Sequence, residues 1–273
     1  MPKICWKSLL WVPLISIITL QAFAVNDTAI KIKWEYSGKL GPAYWGELNP
    51  DFILCKTGKQ QSPIDIPTQV TKGNKKLSIH YQPSPMVIVN DGVTDLMLGQ
   101  IETIINDCHG IQLNLATDQD TITFDGENYR LVQFHIHIPS ENKIHGKSYP
   151  LEIHFVHQGE NGTIAVIGVV AKLGKANPVV EKIIDNLPKQ KDKAQAITGG
   201  HIHPGQLIPH PERYYSFMGS LTTPPCAEGI QWIVIQDSLT VSAAQIKKLQ
   251  TMSGKNARPI FPINSREIMY SLN

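Results

Sequence analysis

Two short segments, Gln133-Phe134-His135-Ile136-His137 and Glu152-Ile153-His154-Phe155-Val156, hold the residues of this chain best suited to chemistry. Side chains alternate faces along an extended strand, so Gln133, His135 and His137 share one face, and Glu152, His154 and Val156 share another. Paired as antiparallel neighbours, the segments bring three imidazoles together with an amide and a carboxylate behind them. Three neutral imidazoles leave a dication its full charge and one open position. That is the donor set of a catalytic zinc site; structural sites are usually closed by four protein ligands, often Cys. Gln133 can accept from the free ring N–H of His135, and Glu152 from that of His154, fixing ring orientation and basicity. A lone His-x-His is an ordinary strand pattern. The third His, with an acid two residues before it, sets this pair apart.

The elements that must position these residues are mainly strands. Extended stretches are expected at Met86 to Asn90, Ile101 to Ile105, Ile111 to Leu115, Thr121 to Phe124, Leu131 to Ile138, Leu151 to His157, Ile164 to Leu173 and Gln231 to Ile235. Many are β-branched or alternating, and Asp125-Gly126 and Glu160-Asn161-Gly162 punctuate them. Helical signals are few. Asn177-Pro178 opens a segment with Val179, Val180, Ile183, Ile184 and Leu187 at helical spacing, stopped by Pro188, and Ser242 can cap a segment running to Gln250. Ala194 to Pro211, rich in Gly, Pro and His, reads as surface loop. No internal repeat or linker divides the chain, so the expectation is one mixed α+β, strand-dominated domain.

The first residues read as a secretory signal over 1–24. Lys3 and Lys7 precede a largely apolar run from Leu9 to Leu20, and Ala22-Phe23-Ala24 has the small-x-small form of a cleavage site. An uncleaved anchor is the alternative, although Pro13 interrupts the run and it falls short of the roughly 20 residues that span a bilayer. Removing Lys3 and Lys7 lowers the basic count from 25 to 23, against 23 acidic residues. The balance argues against nucleic acid as a partner. Cys55, Cys108 and Cys226 would remain, an odd number in which any two could pair.

Further blocks carry a family resemblance: Trp34-Glu35-Tyr36-Ser37-Gly38, Gly58-Lys59-Gln60-Gln61-Ser62-Pro63-Ile64, Gly219-Ser220-Leu221-Thr222-Thr223-Pro224-Pro225-Cys226 and Asn256-Ala257-Arg258-Pro259. With the histidine strands between them, the chain resembles an α-class carbonic anhydrase of the exported bacterial type, over nearly all of residues 25–273. The resemblance implies a large, twisted, mostly antiparallel central sheet, short peripheral helices and a conical cavity with zinc at its floor. It implies reversible hydration of carbon dioxide to bicarbonate and a proton, by hydroxide on zinc held by His135, His137 and His154. It implies that Thr222 accepts from the hydroxide and donates to Glu141, which as a carboxylate can only accept. A backbone carbonyl would serve His137. Val156, Val166, Leu221 and Trp232, with Ile230 nearby, would form the apolar side of the cavity. Tyr36, Gln112 and Thr223 would form the polar side.

Asn106-Asp107-Cys108-His109-Gly110-Ile111-Gln112 resembles the strand that carries the family's proton relay, which points to His109; an imidazole titrating near 6.5 suits that task. Asn90-Asp91-Gly92-Val93 is a look-alike with valine at the key position. The resemblance pairs Cys55 with Cys226 and leaves Cys108 as a thiol. A Cys108–His109 nucleophile is disfavoured because adjacent strand residues face opposite ways. His80, His145 and His210 read as surface residues, His157 as a core histidine, and His201-Ile202-His203 as a loop repeat of the spacing without an acid behind it. The resemblance further implies sulfonamide and anion inhibitors, no membrane span once the signal is cleaved, and a periplasmic or secreted location. It leaves a homodimer open. An inactive binding module and a zinc esterase are the competing functions; the first is opposed by all three histidines standing together with Glu141 and Thr222.

Overall fold

The computed structural model describes residues 32–89, 110–115, 119–188, 194–197 and 201–273. The expected signal, the strand at Ile101 to Ile105, Cys108 and His109 lie outside the described residues. Among the described residues thirteen strands form one sheet whose main path runs Ala194–Ala196, Met86–Val89, Ile111–Leu115, Glu127–His137, Leu151–Gly159, Ile164–Leu173, Glu228–Ile235, Arg213–Ser220, Met269–Leu272 and Thr71–Lys72. Most pairings are antiparallel; Ile164–Leu173 runs parallel to Glu228–Ile235 and to Leu239–Val241. The middle strands are buried on both faces, which is why Ile164–Leu173 reads as an unbroken apolar run rather than an alternating one.

Each face of the sheet packs its own apolar layer. Phe134, Ile136, Ile153, Phe155, Ile167 and Val169 belong to the larger one. Val156, Val166, Leu221, Ile230 and Trp232 belong to the other. In the Glu127–His137 strand the pairing to Leu151–Gly159 shifts between Leu131 and Gln133, so Val132 is an extra, bulged residue. Leu131 and Phe134 consequently share the larger core layer although an odd number of positions separates them.

Two helices flank the sheet as their sequences dictate. Pro178–Asp185 is capped by Asn177, whose side chain accepts from the N–H groups of Val179 and Val180, and its buried face is Val179, Val180 and Ile183. Ala243–Ser253 begins with a reciprocal capping box between Ser242 and Gln245.

The segment from Ala194 to Pro211 differs from the expected surface loop. Ala194–Ala196 is a strand on the sheet edge, Pro204–Leu207 is a 3-10 turn, and Ile202, Leu207 and Ile208 are buried. Ile202 exchanges both backbone hydrogen bonds with Ser84, so a distant partner supplies the order that local periodicity lacks. The strand Arg213–Ser220 is a further addition to the elements expected.

Candidate metal centre

Strand register builds the centre. His135 lies directly opposite His154, and His137 opposite Glu152. On the flanking strands Gln112 faces His135 and Gly168 faces His154. A Cβ at Gly168 would sit 3.0 Å from Glu152 Oε1, so a larger residue there would press on the carboxylate behind His154. One ring nitrogen from each of His135, His137 and His154 lies within 4.8 Å of the others.

The opposite nitrogen of each ring is already engaged. His135 Nδ1 is 2.8 Å from Gln133 Oε1, and His137 Nδ1 is 2.7 Å from the carbonyl oxygen of Asn256. His154 Nε2 is 3.0 Å from Glu152 Oε1, at ion-pair distance but off the hydrogen-bond direction. These partners assign the proton of each ring to its outer nitrogen and leave Nε2 of His135, Nε2 of His137 and Nδ1 of His154 as the converging lone pairs. Nε2 of His137 is buried without a hydrogen-bond partner. An orphaned acceptor at the meeting point of three imidazoles fits a tetrahedral, borderline-soft cation such as zinc.

Electrostatics favour the same donor set. Burial, then the neighbouring His137 and His154 rings, hold His135 well below the usual imidazole range. Burial also lowers His137, against the opposing pull of the Asn256 carbonyl and Glu152. Both rings are thus neutral, as ligands must be. Burial alone would raise the Glu152 carboxyl, yet His154 and hydrogen bonds from Asn142 bring it below its ordinary value. Asn142 donates to Glu152 through its side chain at 2.7 Å and its backbone N–H at 2.8 Å; Glu141 N–H adds a third at 2.8 Å. An anion so held remains charged behind His154.

Glu141 is buried beside the rings, its Oε2 3.4 Å from His137 Nε2. Burial pushes its carboxyl up to about 7, opposed by His154, the Arg258 N–H and the Thr222 hydroxyl. Thr222 is buried directly after the strand Arg213–Ser220. Leu221 N–H donates to Ala227 O at 3.0 Å and Cys226 N–H to Thr223 O at 2.8 Å, which folds the Thr222 turn back on itself. Cys55 and Cys226 are disulfide-bonded and fasten this turn to the Leu54–Thr57 helix.

The residues assigned to the apolar wall lie in one buried layer. Val156 pairs across to Val166, both join Leu221, Ile230 and Trp232 in one layer, and the Trp232 ring stands edge-on to His154 at 4.9 Å. Trp232 Nε1 donates to Ser220 O at 3.0 Å, and only a glycine fits at 219, since a Cβ would come within 2.7 Å of the indole. Gln112 donates to Asn114 at 2.6 Å beside His135, and Thr223 is half-buried in the turn. Tyr36 packs edge-on to Trp34 and Trp45. His157 is fully buried on the opposite face, bonded to the Tyr81 hydroxyl and to Ala165 O, as a core histidine should be. His80, His145, His201 and His210 are exposed. His201 and His203 join no cluster of potential metal ligands among the described residues.

Asn256, Asn142 and Arg258 complete the surroundings of the centre. Asn256 donates to Ile136 O at 2.8 Å and accepts from Ile138 N–H at 2.7 Å, pinning the strand end that carries His137. Its contribution through a main-chain carbonyl leaves no trace in side-chain chemistry, so only the Asn256-Ala257-Arg258-Pro259 block could have flagged it.

Comparison with known proteins points to one family. The family model for eukaryotic-type carbonic anhydrase matches residues 40–272. A carbonic anhydrase of Pectobacterium atrosepticum is 38% identical over 93% of this chain and 97% of its own length. One from Nostoc is 34% identical over 88% of this chain and 87% of its own. Among solved structures, the α-carbonic anhydrase of Thermovibrio ammonificans in complex with sulfanilamide superposes with a TM-score of 0.78 at 38% identity, covering 87% of this chain and 99% of that one.

Proposed function

Given that the chain belongs to the α, or eukaryotic-type, carbonic anhydrase family and so catalyses reversible hydration of carbon dioxide with zinc as cofactor, we propose that His135, His137 and His154 hold the zinc while Glu141 and Thr222 orient the attacking oxygen. The observation that carries the proposal is the trio of ring nitrogens within 4.8 Å, each backed by its own acceptor. When bound, zinc supplies a Lewis acid that lowers the pKa of water to about 7, a property for which carbonic anhydrase is itself the standard example.

The protein's own groups do the rest. Gln133, Asn256 O and Glu152 keep the ring protons on the outer nitrogens and so keep the inner lone pairs available. Ionised above its value of about 7, Glu141 can only accept, so in that state the Thr222 hydroxyl donates to it. The Thr222 oxygen then accepts from the attacking hydroxide and aims a remaining lone pair at the carbon of the substrate. Carbon dioxide, having no net dipole, is held by Val156, Val166, Leu221 and Trp232, which also exclude water from that side. The new C–O bond gives bicarbonate, and the proton lost by water leaves along the polar side, where Gln112, Thr223 and Tyr36 are assigned. His109 is assigned as the relay to bulk solvent. Residues 1–24 are assigned as an export signal, 25–273 as the catalytic domain, and the periplasm or exterior as its location. Among the described residues no helix is long and apolar enough to cross a membrane. Sulfonamides are expected to bind at the same centre; the Thermovibrio relative is a complex with the inhibitor sulfanilamide.

Stopped-flow hydration of carbon dioxide by the purified zinc-loaded protein tests the assignment. Rapid turnover that is lost on chelation and in His154→Ala supports it. Zinc retained at one per chain in the triple variant His135→Ala/His137→Ala/His154→Ala would sink it.

A further inference from the structure

Arg258 is only 2% exposed, and its contacts reach Glu141 directly and the main chain on either side of Thr222 only through its neighbours. Its backbone N–H donates to Glu141 Oε1 at 2.8 Å and fixes one carboxylate oxygen. Its guanidinium donates through one nitrogen to Ser62 O at 2.7 Å, with Leu221 O at 3.5 Å, and through the other to Cys55 O at 3.2 Å. Leu221 immediately precedes Thr222. Cys55 is disulfide-bonded to Cys226 on the far side of the same turn. Ser62 is tied to Ser220 twice, through Ser62 N–H to Ser220 Oγ at 2.9 Å and Ser220 N–H to Ser62 Oγ at 3.2 Å. Thus the three carbonyls gathered by the guanidinium belong to segments that frame the Thr222 turn, while the main chain of the same residue holds Glu141.

The planar cation is also fixed from its sides, over the Phe261 ring at 4.1 Å and the Trp45 ring at 5.5 Å. A buried guanidinium that serves three main-chain acceptors has one geometry, because its donors form a rigid fork; an ammonium could not reach all three at once.

We propose that Arg258 is a positioning residue for hydration, which sets the distance and angle between the Glu141 carboxylate and the Thr222 hydroxyl through its backbone and its guanidinium together. The inference rests on the roles given to Glu141 and Thr222 above. Errors of about 1 Å in such a pair can cost up to 10²-fold in rate, so the effect belongs in turnover rather than in metal affinity.

The test is a double-mutant cycle read by stopped-flow hydration, with zinc content and the circular dichroism spectrum measured alongside. Thr222→Ala alone is expected to lower kcat/KM on the order of 10²-fold with zinc retained. Arg258→Lys is expected to keep zinc at one per chain and lower kcat/KM about 10-fold, since it keeps the charge but loses the fork. In the Thr222→Ala background the same Arg258→Lys change should cost less than about 2-fold, because the pair it positions is already broken. Equal fold-losses in both backgrounds, or loss of zinc in Arg258→Lys, would overturn the proposal and leave the reading of Thr222 standing. A silent Thr222→Ala would instead remove that reading and the inference with it. Should Arg258→Lys fail to fold, Phe261→Leu serves the same cycle. It removes one ring face from a half-buried residue, and its smaller loss, about 3-fold, must likewise vanish in Thr222→Ala.

Discussion

Replacing His157 with phenylalanine should flatten the acid limb of stability, and the size of the effect follows from its surroundings. The ring is fully buried, stacked on Tyr81, with Nδ1 donating to Ala165 O and Nε2 accepting from the Tyr81 hydroxyl. Burial dominates and lowers its pKa from 6.5 to about 3, with the Ala165 and Phe155 carbonyls opposing. The unfolded chain therefore binds a proton that the fold refuses. Stability from this group is fully present above pH 6.5 and falls as the pH drops towards 3, where about 5 kcal/mol has gone. Between pH 7 and pH 5 the loss is about 2 kcal/mol. His157→Phe leaves the Tyr81 hydroxyl and the Ala165 carbonyl short of a partner and should cost about 1–3 kcal/mol at pH 7. Its stability should nevertheless decline from pH 7 to pH 5 by about 2 kcal/mol less than that of the parent. Urea denaturation of both metal-free proteins at the two pH values measures the difference, since every other group is common to both. Parallel pH dependences would refute the linkage argument.

Other perturbations address the centre and its frame. Glu152→Gln should weaken zinc binding by about 10- to 100-fold, because the acceptor behind His154 loses its charge; competition with a chelator measures it, and an unchanged affinity would mean the carboxylate serves Asn142 alone. His109→Ala should slow hydration in dilute buffer and recover with added imidazole; an unchanged rate removes His109 from the relay. The paired changes Cys55→Ser and Cys226→Ser should lower stability by about 2–5 kcal/mol, because the bridge closes a sequence separation of 171. A denaturation midpoint equal to that of the parent would contradict that estimate. Asn177→Ala should cost about 1 kcal/mol by uncapping Pro178–Asp185, read from the same denaturation curves.

The centre was legible because its residues obey the shortest periodicity a protein has. Alternation alone puts Gln133 with His135 and His137, and Glu152 with His154, as the register shows. Helix ends were equally plain at Asn177 and Ser242, where the capping side chains make the bonds their types suggest. What escaped notice is set by distant partners. Arg213–Ser220 carries Arg, Ser and Gly among its aromatics and lacks β-branched residues, yet it is ordered by strands on either side. Ile202 looks like loop because its partner, Ser84, is remote in sequence. His201-Ile202-His203 has the spacing of His135-Ile136-His137 with a different outcome. There the isoleucine is buried and one flanking imidazole is exposed, and among the described residues no third potential ligand joins them.

The bulged Val132 has a consequence for anyone moving this centre into another scaffold. Leu131 and His135 are four positions apart, which in an uninterrupted strand would aim both at the same layer. Here one extra residue reverses parity between them, so the hairpin's oily anchor and the first ligand look in opposite directions. A graft that copies only the histidine spacing onto a regular ribbon, anchored through the counterpart of Leu131, would drive all three imidazoles into the greasy interior. The portable unit is therefore not the three ligands but the stretch from Leu131 to His137 with its phase change included.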